Sequence, residues 1–299
     1  MEFLRSGHSV GRGLRLRRTV PLLPSPALNQ HGSGPAWGTG INGVLAALSF
    51  LGLLLGVPCN LKAQGPGGAL TELDRLYDQR LDIKPVQELA EKCQALLSKN
   101  SKDYELLWRL SRAYFHLGRE AQNRDDKLTY YKKAVEVGRQ AIETNNYRVE
   151  GHFWLGISIA AAGETTGIMK SLTSVGDVRK EMEKVVALDD HYEEGGGYRI
   201  QGRLDHKVPR LFGGSKTRSY EHYQKALFVA PENTYTHLFL AELFIEEDRL
   251  EEATRELKTI LNTKNDPKWA YDVKVNKAEA RKLLEECEKE KAVKGFKGE

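Results

Sequence analysis

The sequence of 299 residues predicts an all-α fold, a right-handed superhelix of about five helical hairpins that ends in a C-terminal capping helix. Two observations predict it. Small and bulky residues recur at fixed offsets within a period of about 34 residues, which is typical of stacked helix–turn–helix repeats. The segment after Pro267 has the charged outer face that the last unit of a repeat array needs. We expect the folded body to span residues 69–292, with a short tail at 293–299.

The repeat is clearest in the stretch Ser219–Ile260. With Thr234 as position 1, the small residues Ala241 and Ala253 fall at positions 8 and 20, where two helices can then cross closely. Bulky residues occupy positions 7, 11, 24 and 27, namely Leu240, Phe244, Leu257 and Ile260. Pro231 falls at position 32 of the preceding repeat. This spacing resembles the tetratricopeptide repeat (TPR), which implies a TPR-like superhelix with a concave groove.

The same register extends through the earlier hairpins, but three of them carry insertions. About eleven, ten and seven extra residues are needed between the two helices of the second, third and fourth hairpins. Two of these insertions contain several glycines, Gly163–Gly176 and Gly195–Lys216. Glycine permits tight turns and close approach of backbones. Because the insertions fall at equivalent points of their hairpins, we expect inserted loops that cluster at one edge of the array.

Residues 1–68 differ in composition from the body. Residues 1–40 are rich in Arg, Gly, Pro and Ser and are expected to be disordered. The apolar run at 41–57 would span roughly 25 Å as a helix, somewhat less than a bilayer core of about 30 Å. A secretory signal cleaved before Gln64, a single membrane anchor and an Arg-rich mitochondrial presequence all fit this pattern. A linker at 58–68 follows.

The charge is unevenly distributed along the chain. Residues 1–69 hold six basic residues against Glu2 alone, whereas the remainder holds 39 basic and 40 acidic residues. The body is therefore nearly neutral. Because sequence-independent binding to nucleic acid needs a basic face, we expect no nucleic-acid partner.

The motifs of catalysis and metal binding are missing from the sequence. Cys59, Cys93 and Cys287 have neither metal-ligand spacing nor a disulfide framework. The segment 213–216, GGSK, lacks the upstream glycine of a phosphate-binding loop and is better explained as a turn before a helix. The eight histidines are scattered, and no zinc spacing or nucleophile–histidine set can be assembled. We therefore predict a binding protein without catalytic residues, metal or cofactor.

Two groups of residues are candidates for binding. Side chains at positions 2, 5, 9 and 12 of a TPR line its groove, and here they are Trp108, Arg112, Phe115, Phe153, Ile157, Tyr235, Leu238, Glu242 and Ile245. Such an apolar groove suits a protein segment or an amphiphilic ligand, unless the insertions bury these residues as core. Arg199, Arg203 and Lys207 are candidate contacts for a carboxylate or phosphate. The alternative is a solvated face, or internal pairs with Glu193, Glu194 and Asp205.

Beyond the general repeat pattern, parts of the chain resemble two particular families of TPR proteins. The run HFWLGISIAAAGETTGIMKSLTSVGDVRKEMEKVVALDD at 152–190 resembles the regulator of microtubule dynamics family. The pattern YR…GRL…K.P…FGGSK within 198–216 resembles bacterial TPR proteins associated with tripartite ATP-independent periplasmic transporters. The first resemblance implies a membrane-anchored adaptor on a mitochondrial or other organelle membrane, facing the cytosol and touching microtubules or organelle partners. The second implies an exported periplasmic transporter-accessory protein. Self-association into a homo-oligomer stays open.

Overall fold

Eleven α-helices make up the described part of the chain. The computed structural model describes residues 66–167 and 172–297, with three short 3-10 turns besides the α-helices. The helices are α1 Pro66–Asp78, α2 Ile83–Leu97, α3 Tyr104–Glu120, α4 Arg124–Thr144, α5 Val149–Thr166, α6 Val175–Leu188, α7 Tyr192–Lys207, α8 Lys216–Val229, α9 Thr234–Glu246, α10 Leu250–Asn262 and α11 Ala270–Lys297.

Consecutive helices pair into five hairpins, from α1–α2 to α9–α10, and α11 packs against α10 as the cap. The predicted all-α array of hairpins is therefore confirmed. The first described helix begins three residues before the expected body, and α11 continues five residues beyond its expected end at 292. The predicted segments at 1–40 and 41–57, and most of the linker, lie outside the described residues.

Short polar side chains begin several of the helices. Asp82, Asp103, Asn123, Ser215 and Asn233 each accept a hydrogen bond from a backbone N–H in the first turn that follows. These bonds satisfy donors that have no partner inside the helix. The helix starts are thus encoded locally, whereas the packing of the helices depends on the repeat register.

The repeat register predicts the core well. Ala241 and Ala253 are fully buried, as expected for the crossing of α9 and α10. All of the bulky residues assigned to this hairpin, Leu240, Phe244, Leu257 and Ile260, are buried too. In the third hairpin, the predicted core residues Val178, Met182 and Val185 are at most 2% exposed. The interior is therefore made by the side chains that face across each hairpin and towards the next.

In the second and fourth hairpins the inserted residues are largely helical rather than looped, which corrects the expectation of loops there; residues 168–171 of the third insertion lie outside the described residues. The insertion in the second hairpin extends both helices, so that α3 has 17 residues and α4 has 21. Within Gly195–Lys216, residues up to Lys207 belong to α7. Only residues 208–215 connect α7 to α8. The glycines at the start of α7 and Gly202 are accommodated within the helix, where they allow close contact with neighbouring side chains.

Glycines in α7 allow close packing against neighbouring helices. A Cβ added at Gly202 would lie 2.6 Å from both Cδ1 and Cε1 of Tyr223, which is fully buried. It would also lie 3.2 Å from the carbonyl oxygen of Ser219. The hydroxyl of Ser219 donates to the carbonyl of Gly202 at 2.8 Å, which confirms how closely α7 and α8 approach.

A histidine–glutamate pair recurs in two hairpins at equivalent positions. The ring of His152 lies 2.6 Å from Glu181 and 2.9 Å from the carbonyl of Asn146. His237 has the same environment, 2.6 Å from Glu256 and 2.8 Å from the carbonyl of Pro231. Burial disfavours the charged ring, but the bonds to Glu256 and to the carbonyl outweigh it and raise the pKa of His237 above 6.5.

Because α7 and α8 approach closely at Gly202, we expect alanine to destabilise the fold there, which is the opposite of its usual effect inside a helix. In an ordinary helix interior, alanine is more stable than glycine by about 1 kcal/mol. We expect Gly202→Ala instead to lower the free energy of unfolding by about 1–3 kcal/mol, because Tyr223 has no room to move. Chemical denaturation measures this.

Gly176→Ala in α6 is the matched control, since no described atom lies within 4 Å of the added Cβ. Its free energy of unfolding should stay the same or rise. Equal destabilisation by both substitutions would contradict the packing argument.

The His237–Glu256 pair predicts a pH-dependent stability. Because the pKa of His237 is higher in the folded chain, the stabilisation is fully present below 6.5 and is lost as the pH rises through the folded value. The difference in unfolding free energy between wild type and Glu256→Gln should therefore be largest at mildly acidic pH and shrink towards alkaline pH. Denaturation at a series of pH values tests this.

Glu251→Gln on the same helix serves as the control, because the Glu251 side chain is 74% exposed and lies 3.7 Å from its partner Lys291. Its effect should be small at every pH. A difference for Glu256→Gln that stays constant, or widens with rising pH, would refute the assignment of a charged His237.

Candidate functional site

A cavity of about 760 Å³ lies along the first helices of the hairpins. Helices α3, α5, α7 and α9 contribute most of its lining, as expected for the inner face of a TPR array. The apolar walls are formed by Phe115, Phe153, Trp154, Ile157, Ile200, Leu204 and Phe239. Charged and polar groups are gathered on another part of the lining, namely Arg80, Arg112, Arg119, Glu193, Arg199, Tyr235, Lys268 and Asp272. The site is therefore amphipathic.

The structure brings some of the predicted groove residues together and leaves others apart. The cavity lining includes five of them, Arg112, Phe115, Phe153, Ile157 and Tyr235. The three candidate anion contacts Arg199, Arg203 and Lys207 line it too. The remaining predicted residues, Trp108, Leu238, Glu242 and Ile245, are not part of the lining. The repeat positions thus identify the correct helices but include side chains that point elsewhere.

Trp108 and Leu238 serve the core. The indole N–H of Trp108 donates to Glu105 at 2.9 Å, and the guanidinium of Arg109 lies 4.2 Å from the centre of a Trp108 ring. Leu238 is 6% exposed and packs in the C-terminal core cluster. For these two residues the alternative of burial in the core describes the structure better than a groove surface.

The three candidate cations have different partners. Arg203 lies 2.5 Å from a carboxylate oxygen of Glu242. Lys207 lies 2.6 Å from Glu246 and 3.1 Å from Glu242. Both are therefore neutralised within the chain, although by other acids than Glu193, Glu194 and Asp205. We narrow the anion-contact hypothesis to Arg199.

Arg199 is a buried cation whose recorded partners are backbone carbonyls. Its guanidinium donates to the carbonyl oxygens of Glu193 and Glu194, each at 3.1 Å. No described carboxylate forms an ion pair with it, and it is 6% exposed. Burial lowers the pKa of Arg199, while the nearby negative charge of Glu193 opposes that shift. Guanidinium nonetheless stays protonated in proteins, so a positive charge faces the cavity.

A left-handed turn aims these carbonyls at Arg199. Glu193, Glu194 and Gly195 have φ values of 49°, 56° and 73° within the first turn of α7. Two consecutive non-glycine residues in this region are strained. The turn is held by packing, because an added Cβ at Gly195 would already be 3.2 Å from the backbone of Ala226. Such strain is characteristic of sites with a role beyond folding.

Of the two acidic residues in this turn, Glu193 lines the cavity. Burial raises the pKa of Glu193, and the neighbouring cations Arg112 and Arg199 oppose the increase. The Nε of Arg112 is buried without a hydrogen-bond partner, while its Nη2 donates to Asp74 at 2.8 Å. This side of the cavity therefore includes one buried hydrogen-bond donor that has no partner in the described part of the chain.

The two ends of the array meet across a buried cluster that we call the clasp, formed by Arg80, Arg119, Tyr235 and Asp272. Arg80, in the turn after α1, donates to Asp272 at 2.7 Å and to the carbonyl of Lys268 at 2.8 Å. Tyr235 donates to the other oxygen of Asp272 at 3.0 Å. Arg119 donates to the Tyr235 hydroxyl at 2.6 Å and lies 3.7 Å from Asp272. One carboxylate thus joins the first hairpin, α3, α9 and the cap.

A ring contact extends the clasp. Tyr271 hydrogen-bonds Glu120 at the end of α3, and its ring lies 4.6 Å from that of His116. Sequence reasoning missed these residues because their partners are more than a hundred positions away along the chain. No local pattern marks them, since only the curvature of the whole array brings α11 beside α1 and α3.

Two further observations limit the chemistry of the described part of the chain. No group of three or more His, Cys, Asp or Glu side chains there is arranged to hold a metal ion. Among the same residues, every helix is too short or too polar to cross a membrane, and the run at 41–57 lies outside them.

The clasp predicts a large cost for neutralising its carboxylate. In Asp272→Asn the buried Arg80 and the partly buried Arg119 lose their counter-charge. Removing one partner of a buried ion pair typically costs about 3–5 kcal/mol, and we expect Asp272→Asn to lower the free energy of unfolding by that amount. Asp177→Asn is the control, because Asp177 is 61% exposed and lies 3.9 Å from Arg139. Equal unfolding midpoints for Asp272→Asn and wild type would show that the clasp contributes nothing.

Comparison with known protein families identifies one family that this chain resembles. A sequence model of the family "Regulator of microtubule dynamics protein 1-3" matches residues 69–211. Regulator of microtubule dynamics protein 1 of Bos taurus is 28% identical over 121 residues, 40% of this chain and 36% of the relative. The Pongo abelii protein of the same name is 32% identical over 104 residues, 33% of this chain and 32% of the relative. The match thus spans about a third of the length of these relatives.

A solved structure supports the fold. The crystal structure of a thermophilic TPR protein from Thermus thermophilus superposes with a TM-score of 0.54 over 72% of this chain and 97% of that one, at 18% identity. At this identity the likeness concerns the fold alone. The chain is thus a TPR-like helical-repeat protein that resembles the regulator of microtubule dynamics family.

Proposed function

We propose that this protein is a non-catalytic TPR adaptor of the regulator-of-microtubule-dynamics type, whose cavity holds an anionic, amphipathic group of its ligand. The observation that carries the proposal is Arg199, a buried cation facing an apolar cavity without a carboxylate partner among the described residues. The ligand is either a free amphiphile or a protein segment that carries an acidic group beside apolar side chains.

The cations of the cavity lining are the reason that we propose an anionic group on the ligand. A guanidinium has five N–H donors, and backbone carbonyls are weaker partners for it than a carboxylate or phosphate. Arg112 adds a buried Nε without a partner on the same lining. Glu193 lines the same cavity but forms no ion pair with Arg112 or Arg199. A ligand carboxylate or phosphate would therefore replace imperfect interactions with charge-assisted hydrogen bonds.

The apolar walls of the cavity are the reason that we propose an apolar part on the same ligand. Phe153, Ile157 and Phe239 belong to first helices of their hairpins, and all three contribute apolar side chains to the cavity lining. The volume of about 760 Å³ lies within the range of about 300–1,000 Å³ that is usual for small-molecule sites. It accommodates one amphiphile or a few side chains of a bound segment, rather than a whole folded partner.

The family match favours the microtubule-regulator adaptor over the transporter-accessory role that the second resemblance implies. The matched residues 69–211 include α3, α5 and α7 and most of the residues that line the cavity. We accordingly propose microtubules or organelle components as partners, and the run at 41–57 as the tether to an organelle membrane. Export to a periplasm is the competing proposal, and determination of the mature N-terminus distinguishes the two.

A fluorescent long-chain fatty acid and the corresponding uncharged alcohol test the cavity. Wild-type protein should bind the acid more tightly than the alcohol, because only the acid pairs with Arg199. Arg199→Gln should weaken binding of the acid by about tenfold or more, as expected for loss of a charge-assisted hydrogen bond, and leave the alcohol unchanged. Fluorescence titration measures all four affinities, with circular dichroism as a check of folding.

Arg255→Gln provides the matched control, since Arg255 is exposed on α10 and lies outside the cavity. Equal affinity of the wild type for acid and alcohol would refute the anion contact even if Arg199→Gln did not fold. If neither probe binds but an acidic amphipathic peptide does, the ligand is a protein segment.

The adaptor proposal is tested separately by sedimentation with polymerised tubulin. The full chain should pellet with microtubules in a saturable manner and stay in the supernatant without them. A chain that remains soluble at every tubulin concentration would exclude direct microtubule binding and leave organelle partners as the alternative.

A further inference from the structure

The connection between α7 and α8 carries the chain's most prominent pair of adjacent exposed apolar residues among those described. We call residues 208–215 the tip loop. Leu211 is 87% exposed and Phe212 is 49% exposed. They follow Arg210 in a short 3-10 turn that no core cluster covers. Adjacent large apolar side chains at the end of a loop need a reason beyond folding, because water contact disfavours them.

The tip loop is a built structure. Phe212 N–H donates to the carbonyl of Pro209 at 2.8 Å, and Gly214 N–H donates to the same oxygen at 3.2 Å. Ser215 N–H donates to the carbonyl of Asp205 at 2.8 Å. A Cβ at Gly214 would lie 1.6 Å from the carbonyl oxygen of Val208, so only glycine fits there. The backbone therefore holds Leu211 and Phe212 outward in a fixed arrangement, which lowers the entropic cost of inserting them elsewhere.

Positive charge surrounds these side chains. Residues 206–220 include Lys207, Arg210, Lys216 and Arg218 and contain no acidic residue. Lys207 and Arg218 are paired with Glu246 and Asp205. Arg210 is exposed and forms no ion pair with a described residue, and the Lys216 ammonium donates to the backbone carbonyl of Glu246. Neither Arg210 nor Lys216 is therefore paired with an acidic side chain in the described part of the chain.

We propose that the tip loop docks on an anionic membrane surface, with Leu211 and Phe212 inserted into the interface and Arg210 and Lys216 beside the lipid headgroups. Apolar insertion and attraction to anionic headgroups reinforce each other at such a surface. A neutral protein groove would leave the two cations unused. The inference is independent of the ligand of the cavity.

Docking of the tip loop would also bring one rim of the cavity close to the membrane. Lys207, Val208 and Pro209, where α7 runs into the tip loop, belong to the cavity lining. A docked tip loop therefore places this rim of the cavity at the membrane surface. An amphiphile or a membrane-attached segment would then reach the cavity over a short distance.

A local probe distinguishes docking by the tip loop from attachment through another segment. The full chain with Cys59→Ser and Leu211→Cys is labelled with an environment-sensitive dye; Cys93 and Cys287 are at most 1% exposed and should resist labelling. On vesicles of phosphatidylcholine with phosphatidylserine, the dye emission should shift to the blue, and brominated lipids should quench it. A chain labelled through Phe228→Cys is the matched control, since Phe228 is 90% exposed on α8, and its emission should not change.

Charge dependence completes the test. In the chain labelled at position 211, Arg210→Glu should weaken the vesicle-induced shift by roughly tenfold in apparent lipid affinity, because it reverses one headgroup contact. Vesicles of phosphatidylcholine alone should give a much smaller shift. The proposal is overturned if the dye at position 211 stays in a water-like environment on vesicles that carry the protein. It is also overturned if the shift appears only when tubulin is added, which would make the tip loop a protein-binding surface.

Discussion

The buried carboxylate of Asp272 is the constraint on which the shape of the cavity depends. Arg80 is buried and Arg119 is partly buried near it, and a buried cation requires a nearby counter-charge. Because Asp272 belongs to the cap while Arg80 follows α1, the array must curve until its two ends meet. That curvature places α3, α5, α7 and α9 around one space. An open superhelix with the same hairpins would leave the arginines without this partner.

A second constraint operates on α7. Its glycines allow close contact with Phe153 on one side and Tyr223 on another, so the helix sits deeper than side chains would permit. The left-handed turn at its start is retained by this packing, and it supplies the carbonyls that hold Arg199. The positive charge in the cavity therefore depends on backbone geometry rather than on a pairing acid. A site stabilised in this way can accept an anion without first breaking an internal ion pair.

The proposed ligand of the cavity and the proposed membrane docking of the tip loop are compatible with each other. The hairpins supply a rigid frame, the cavity combines an arginine with apolar walls, and the tip loop presents two apolar side chains next to uncompensated cations. The resemblance to the regulator of microtubule dynamics family covers the helices that build most of the cavity. In this view an adaptor role joins a ligand held in the cavity to a surface contacted by the tip loop.

The sequence by itself determined the all-α class, the order of the hairpins and most of the core. The reason is that alanines such as Ala241 and Ala253 and their bulky neighbours recur at repeat positions set by helix geometry. It also indicated Phe153 and Ile157 as candidate groove residues from their repeat positions, and Arg199 as a candidate anion contact because several cations share its segment. All three line the cavity. Only the tertiary structure decided that Trp108 is core, that Arg203 and Lys207 are already paired, and that Asp272 closes the array. Those outcomes depend on curvature accumulated over five hairpins, and no short segment of sequence encodes that sum.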